Sequence, residues 1–124
     1  MEKHLILYVD DDQEVLQSFK IGLEERGYRL LIAASGEEGL EVLKSNTPDL
    51  IIADLRMQPM NGFDFFQKVR KSVKLTRVPF FFLTAVDDFL AHKYSQKLGV
   101  DAYITKPVDM DNLDALISSK LSEK

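Results

Sequence analysis

Short apolar runs alternate with longer amphipathic stretches along the chain. The runs are Leu5–Val9, Leu30–Ala34, Leu50–Ala53, Pro79–Leu83 and Ala102–Ile104. Short apolar runs bounded by polar or turn-forming residues suit strands buried on both faces, and the amphipathic stretches between them suit helical crossovers on a parallel sheet. The first amphipathic segment, Gln13 to Arg26, places Val15, Leu16, Phe19 and Leu23 on one helical face, with Gly27 as its C-terminal stop. Ser35-Gly-Glu-Glu38 has the form of a capping box and predicts a second helix that turns Leu40 and Leu43 inward and ends before Pro48. A third helix is predicted from Phe63 to about Lys71, with Phe63, Phe66 and Val69 inward. The fourth follows Asp87 or Asp88 and ends at Gly99, and the fifth follows Asp109 and buries Leu113, Leu116 and Ile117. The pattern predicts an α/β protein of five strands and five helices in a single domain over residues 1–124, without repeats or a linker.

Composition narrows the function classes. At 45% hydrophobic and 29% charged, the 124 residues suit one globular domain with a real core. Sixteen basic against 20 acidic residues give a formal charge of −4, which offers no general attraction to nucleic acid or anionic lipid. With no cysteine there is no disulfide, thiolate metal site, iron–sulfur cluster or cysteine nucleophile. No apolar stretch approaches the roughly 18–20 residues of a membrane span, and Leu5–Val9 is too short for a signal-peptide core, so a cytoplasmic location away from membranes is expected.

In an open α/β sheet, ligands bind outside the carboxyl ends of the strands. There the first run ends in Asp10-Asp11-Asp12, the third in Asp54, the fourth in Thr84-Ala85 and the fifth in Thr105-Lys106-Pro107. If these strands are neighbours, Asp10, Asp11 and Asp54 converge with the Thr84 hydroxyl and the Lys106 ammonium. Three carboxylates against one ammonium carry a charge of about −2, which a divalent cation would neutralise. The all-oxygen ligand set favours Mg²⁺. An aspartate can also attack phosphorus to give an acyl phosphate, and Asp54 stands where that nucleophile should be. Lys106 would then pair with one phosphoryl oxygen and Thr84 would donate to another.

These residues resemble the receiver domains of two-component response regulators, which have a flavodoxin-like sheet of strand order 2-1-3-4-5. The resemblance covers essentially the whole chain. It rests on Tyr-Val-Asp-Asp-Asp at 8–12, Asp-Leu-Arg-Met-Gln-Pro-Met-Asn-Gly at 54–62, Phe-Leu-Thr-Ala at 82–85 and Gly-Val-Asp-Ala-Tyr-Ile-Thr-Lys-Pro at 99–107. It implies that Asp54 accepts a phosphoryl group from a sensor histidine kinase, a phosphotransfer protein or a small phosphodonor. It further implies that Asp11 ligates Mg²⁺ directly and Asp10 through water, and that the backbone carbonyl of Arg56 completes the ligands. Thr84 and Tyr103 resemble the family's switch pair, and Lys106 its phosphate-pairing lysine, with a cis Lys106-Pro107 bond. Phosphorylation is then expected to shift the face formed by the fourth helix, fifth strand and fifth helix, for a downstream protein target, an output domain or a second copy of the chain. Two departures stand out: Gln58 occupies the family's proline position, with Pro59 one residue on, and Asn61 replaces a common Asp. Arg56 and Val86 fall at positions that in the family tune phosphoryl lifetime, and the resemblance together with their size implies slow hydrolysis.

Ordinary structural roles compete at several positions. Asp12 is the expected N-cap of the first helix and not a metal ligand. Tyr103 alternates with apolar neighbours as a core aromatic would, and His4 and His92 read as lone surface histidines. The basic residues Lys68, Arg70, Lys71, Lys74 and Arg77 read as a solvated helix end. A turnover enzyme is disfavoured because no second acid stands beside Asp54 to activate water, and a flavin carrier because Asp-Asp-Asp would repel a phosphate. A phosphorylation-independent docking module is the alternative to the switch.

Overall fold

The computed structural model of the chain describes residues 3–123. Each predicted apolar run forms a strand: β1 (Leu5–Val9), β2 (Arg29–Ala33), β3 (Leu50–Ala53), β4 (Phe80–Thr84) and β5 (Ala102–Thr105). The helices are α1 (Gln13–Glu25), α2 (Gly36–Leu43), α3 (Gly62–Arg70), α4 (Phe89–Leu98) and α5 (Met110–Leu121), with a 3₁₀ turn at Val73–Leu75. Local chemistry sets the helix ends. Asp12 caps α1 by accepting from the Glu14 and Val15 N–H groups, Ser35 caps α2 through Glu38, and Asp88 caps α4 through Leu90. Gly27 at φ 95° and Gly99 at φ 85° supply the left-handed residues that stop α1 and α4.

All strands are parallel, in the order β2-β1-β3-β4-β5. Successive side chains on a strand point to opposite faces, so each strand feeds two cores. Leu7, Val9, Ile51, Ala53, Phe80 and Phe82 pack beneath α2, α3 and α4. Ile6, Tyr8, Leu50, Ile52, Phe81 and Leu83 pack beneath α1 and α5, against Leu16, Leu23, Leu113 and Ile117.

Three details depart from the sequence reading. Leu116 is 43% exposed, because α5 meets the sheet along the Leu113–Ile117 stripe and Leu116 lies off it. Phe65, not expected inside, is fully buried, and Phe63 is half-buried with edge contacts to Phe82 and Tyr94. Arg70 is no solvated lysine-like tail: its guanidinium donates to the Leu75 and Val78 carbonyls and ties the 3₁₀ turn to α3.

Candidate functional site

The parallel ladder runs one step beyond the strands and carries the polar residues with it. Asp10 N donates to Ala33 O at 3.1 Å, Asp54 N to Val9 O at 3.0 Å and Lys106 N to Thr84 O at 2.7 Å. Asp10, Asp54 and Lys106 are therefore held by backbone hydrogen bonds at one edge of the sheet, with Thr84 ending β4 beside them. The strand order makes β1, β3, β4 and β5 successive neighbours, which is the condition for convergence.

Lys106 is the hub. Its Nζ lies 2.7 Å from Asp10 Oδ2 and 3.3 Å from Asp54 Oδ2. Asp10 is wholly buried, and its carboxylate also accepts from the Tyr8 hydroxyl at 2.9 Å and from Asp12 N at 3.0 Å. Asp54 is nearly buried, and its second oxygen accepts from Arg56 N at 3.2 Å. Thr84 is wholly buried, with Oγ1 accepting from Val86 N at 3.2 Å. Gly62 closes the loop after Asp54: a Cβ there would stand 2.3 Å from the Asp54 carbonyl oxygen and 2.8 Å from Leu55 Cα, so only glycine permits this approach. The bond between Gln58 and the displaced Pro59 is cis, as is Lys106-Pro107.

The charges respond to one another. Loss of hydration pushes the Asp11 carboxyl above its usual value, and the charges of Asp10 and Asp54 push it further in the same direction. Desolvation works to lower Lys106, but its hydrogen bond to Asp10 and the Asp54 charge outweigh this and raise it. Burial raises Tyr8 strongly, with Asp10 and Asp54 adding to the effect. Excess negative charge at an all-oxygen rim is the environment a hard cation relieves. Among the described residues no three His, Cys, Asp or Glu side chains form a ready-made metal cage. Mg²⁺ asks for less, since one or two carboxylates with waters suffice. An open cavity of about 730 Å³ lies beside the rim, bounded by Asp11, Arg56, Met57, Phe63, Val86 and Ala91.

Tyr103 lies on β5, and its hydroxyl donates to the Val86 carbonyl in the loop after Thr84. Burial raises its pKa, with Asp88 and Asp87 contributing. His92 is half-buried, not a free surface histidine: its ring lies on Tyr103 with centroids 3.7 Å apart. Two participants were thus missed in the sequence. Tyr8 carries a usable signal, being two residues before Asp10 and so on the same strand face, whereas nothing local to α4 shows that His92 meets Tyr103.

The response regulator receiver domain model matches residues 6–118. The chain belongs to this family. Among curated proteins, the transcriptional regulatory protein YvrH of Bacillus subtilis is 39% identical over 122 residues, 98% of this chain and 50% of that protein. The transcriptional regulatory protein AfsQ1 of Streptomyces coelicolor is 34% identical, covering 94% of this chain and 50% of that protein. The receiver domain thus spans about half the length of these relatives. Among solved structures, a putative response regulator from Chloroflexus aurantiacus superposes with a TM-score of 0.92 at 30% identity, covering 98% of this chain and 100% of that one. A CheY-like receiver domain protein from Methanospirillum hungatei gives 0.89 at 33% identity, covering 98% and 96%. The receiver domain is the phosphorylation-controlled signalling unit of a two-component system, and its sheet has the 2-1-3-4-5 order of the CheY fold. No helix among the described residues is long and apolar enough to cross a membrane.

Proposed function

We propose that Asp54 is the phosphoacceptor of this receiver domain. The observation that carries the reading is the single ammonium of Lys106 shared between Asp10 and Asp54, at 2.7 and 3.3 Å, on the ligand-binding edge of the sheet. An Asp54 carboxylate oxygen attacks the phosphorus of a kinase phosphohistidine. The P–N bond breaks, and the imidazole nitrogen leaves with the electron pair. Lys106 turns from Asp54 to an equatorial phosphoryl oxygen, and the Thr84 hydroxyl donates to another. Asp10, Asp11 and the Arg56 carbonyl would hold Mg²⁺, with Asp54 as a further ligand. When bound, Mg²⁺ offsets the carboxylate charge and polarises the phosphoryl oxygens.

Thr84 and Tyr103 would carry the signal. Val86 joins them, since its N–H donates to Thr84 Oγ1 and its carbonyl accepts from Tyr103. A hydroxyl drawn toward the phosphoryl group therefore pulls on the loop that holds Tyr103 and starts α4. The α4–β5–α5 face then changes its affinity for a protein target, an output domain or a second copy. On this reading residues 1–124 act as one receiver unit in the cytoplasm, storing phosphate as a signal without enzymatic turnover of substrate. The names of the curated relatives point to transcription as the process controlled.

The test is intact-mass spectrometry after incubation with acetyl phosphate and Mg²⁺. One phosphoryl adduct is expected, absent in Asp54→Ala and in EDTA. Failure to form it, and failure of beryllofluoride to bind, would leave a phosphorylation-independent docking module.

A further inference from the structure

Tyr8 lies outside the roles assigned so far, yet its hydroxyl enters the site. Its oxygen is 2.9 Å from Asp10 Oδ2, and both residues are wholly buried. The ring belongs to the core beneath α1 and α5, in edge contact with Phe19 at 5.4 Å between centroids. An apolar residue would fill that volume equally well, and a buried hydroxyl costs free energy unless it is hydrogen-bonded. Asp10 supplies the partner.

An ionised carboxylate offers about four acceptor positions. Asp10 uses three of them, for Tyr8, Lys106 and Asp12 N. One acceptor position remains unassigned, the one a cation or its water would take. If Lys106 swings to a phosphoryl group, the Tyr8 hydroxyl and the Asp12 N–H are the contacts that still fix the carboxylate. One comes from β1 and the other from the capped start of α1.

We propose that Tyr8 is a positioning residue for the cation site: its hydroxyl holds the Asp10 carboxylate in the orientation that receives Mg²⁺, whether or not Lys106 is engaged. This rests on the assignment of Asp10 and Asp11 to Mg²⁺ made above. Outer-shell partners of this kind are typically worth 10–100-fold in metal affinity.

Tyr8→Phe removes one oxygen and keeps the ring. Titration of the unphosphorylated protein with Mg²⁺ alone, followed by calorimetry, should show affinity about tenfold weaker than wild type. The rate of phosphorylation by acetyl phosphate should return to within about twofold of wild type once Mg²⁺ is saturating, because orientation is lost and chemistry is not. An affinity within about twofold of wild type would overturn the proposal, as would a rate defect that saturating Mg²⁺ does not repair. A wild-type protein that binds no Mg²⁺ would remove the underlying site assignment and the proposal together, whereas an unaffected variant beside a binding wild type removes the proposal alone. Should Tyr8→Phe not fold, wild-type protein with ¹³C-labelled tyrosine rings decides: Tyr8 resonances should move with the same midpoint as metal binding, and their failure to move would count against the role.

Discussion

A single ammonium stands where three strands end, and removing it leaves charge behind. Lys106→Met would strip Asp10 and Asp54 of their common partner. Breaking a fully buried pair typically costs 3–5 kcal/mol, but water reaches Asp54, so about 2–3 kcal/mol is expected here. Urea unfolding should show that loss, and saturating Mg²⁺ should restore part of it in the variant; an unchanged midpoint would show that the Lys106 contacts carry little stability. At this scale the sequence was informative where residue type and strand position coincided. Asp10, Asp54, Thr84 and Lys106 were legible because each follows or ends an apolar run. Tyr8 was hidden by its own hydrophobicity, since its ring satisfies the core pattern and its hydroxyl has no signature until Asp10 is seen beside it. His92 was hidden because its neighbour, Tyr103, is on a different element.

Between elements, small residues decide how closely the layers and loops approach. The loop from β3 turns back so tightly that the start of α3 lies against the Asp54 carbonyl. Gly62→Ala would force a backbone shift there, and a loss of about 3 kcal/mol is expected from the overpacking, measured as a lower urea midpoint at unchanged m value. The same shift displaces Asp54, so phosphorylation should slow as well; a variant with wild-type stability would mean that the loop relaxes freely. Gly39 plays a related part on α2, where an added Cβ would meet the Phe65 ring at 3.0 Å. That gap explains why Phe65 joins Phe66 and Val69 inside. Helical spacing alone allows Phe63, Phe66 and Val69 as the inward stripe, but the space left by Gly39 admits Phe65. Strand existence and helix caps were readable from local chemistry, whereas the burial of Phe65 and the exposure of Leu116 depend on packing partners distant in sequence.

Across the whole molecule, four titrating groups point the same way. Tyr8, Tyr28 and Tyr103 are raised above 10.0, chiefly by burial, and Lys106 is raised above 10.5 by its carboxylate partners against desolvation. A raised folded-state pKa means that the native protein keeps its proton while the unfolded chain loses it. Their contribution to stability is therefore complete below about pH 10 and is lost as the pH climbs through the folded-state values. The urea midpoint should hold between pH 8 and about pH 10 and then fall, less steeply in Tyr8→Phe; a midpoint flat to about pH 11 would contradict the burial of these groups. The topology itself was legible because five short apolar runs separated by amphipathic stretches leave few alternatives, and the motif order selected among them. Lys106 has a last implication at this scale. The protein carries a cation of its own, tethered to the end of β5 and placed between two of the carboxylates that a free cation would seek. A metal ion taking the acceptor position that Asp10 has to spare would arrive beside a positive charge already in place. The two repel, so the lysine would set how much metal is needed before the site fills.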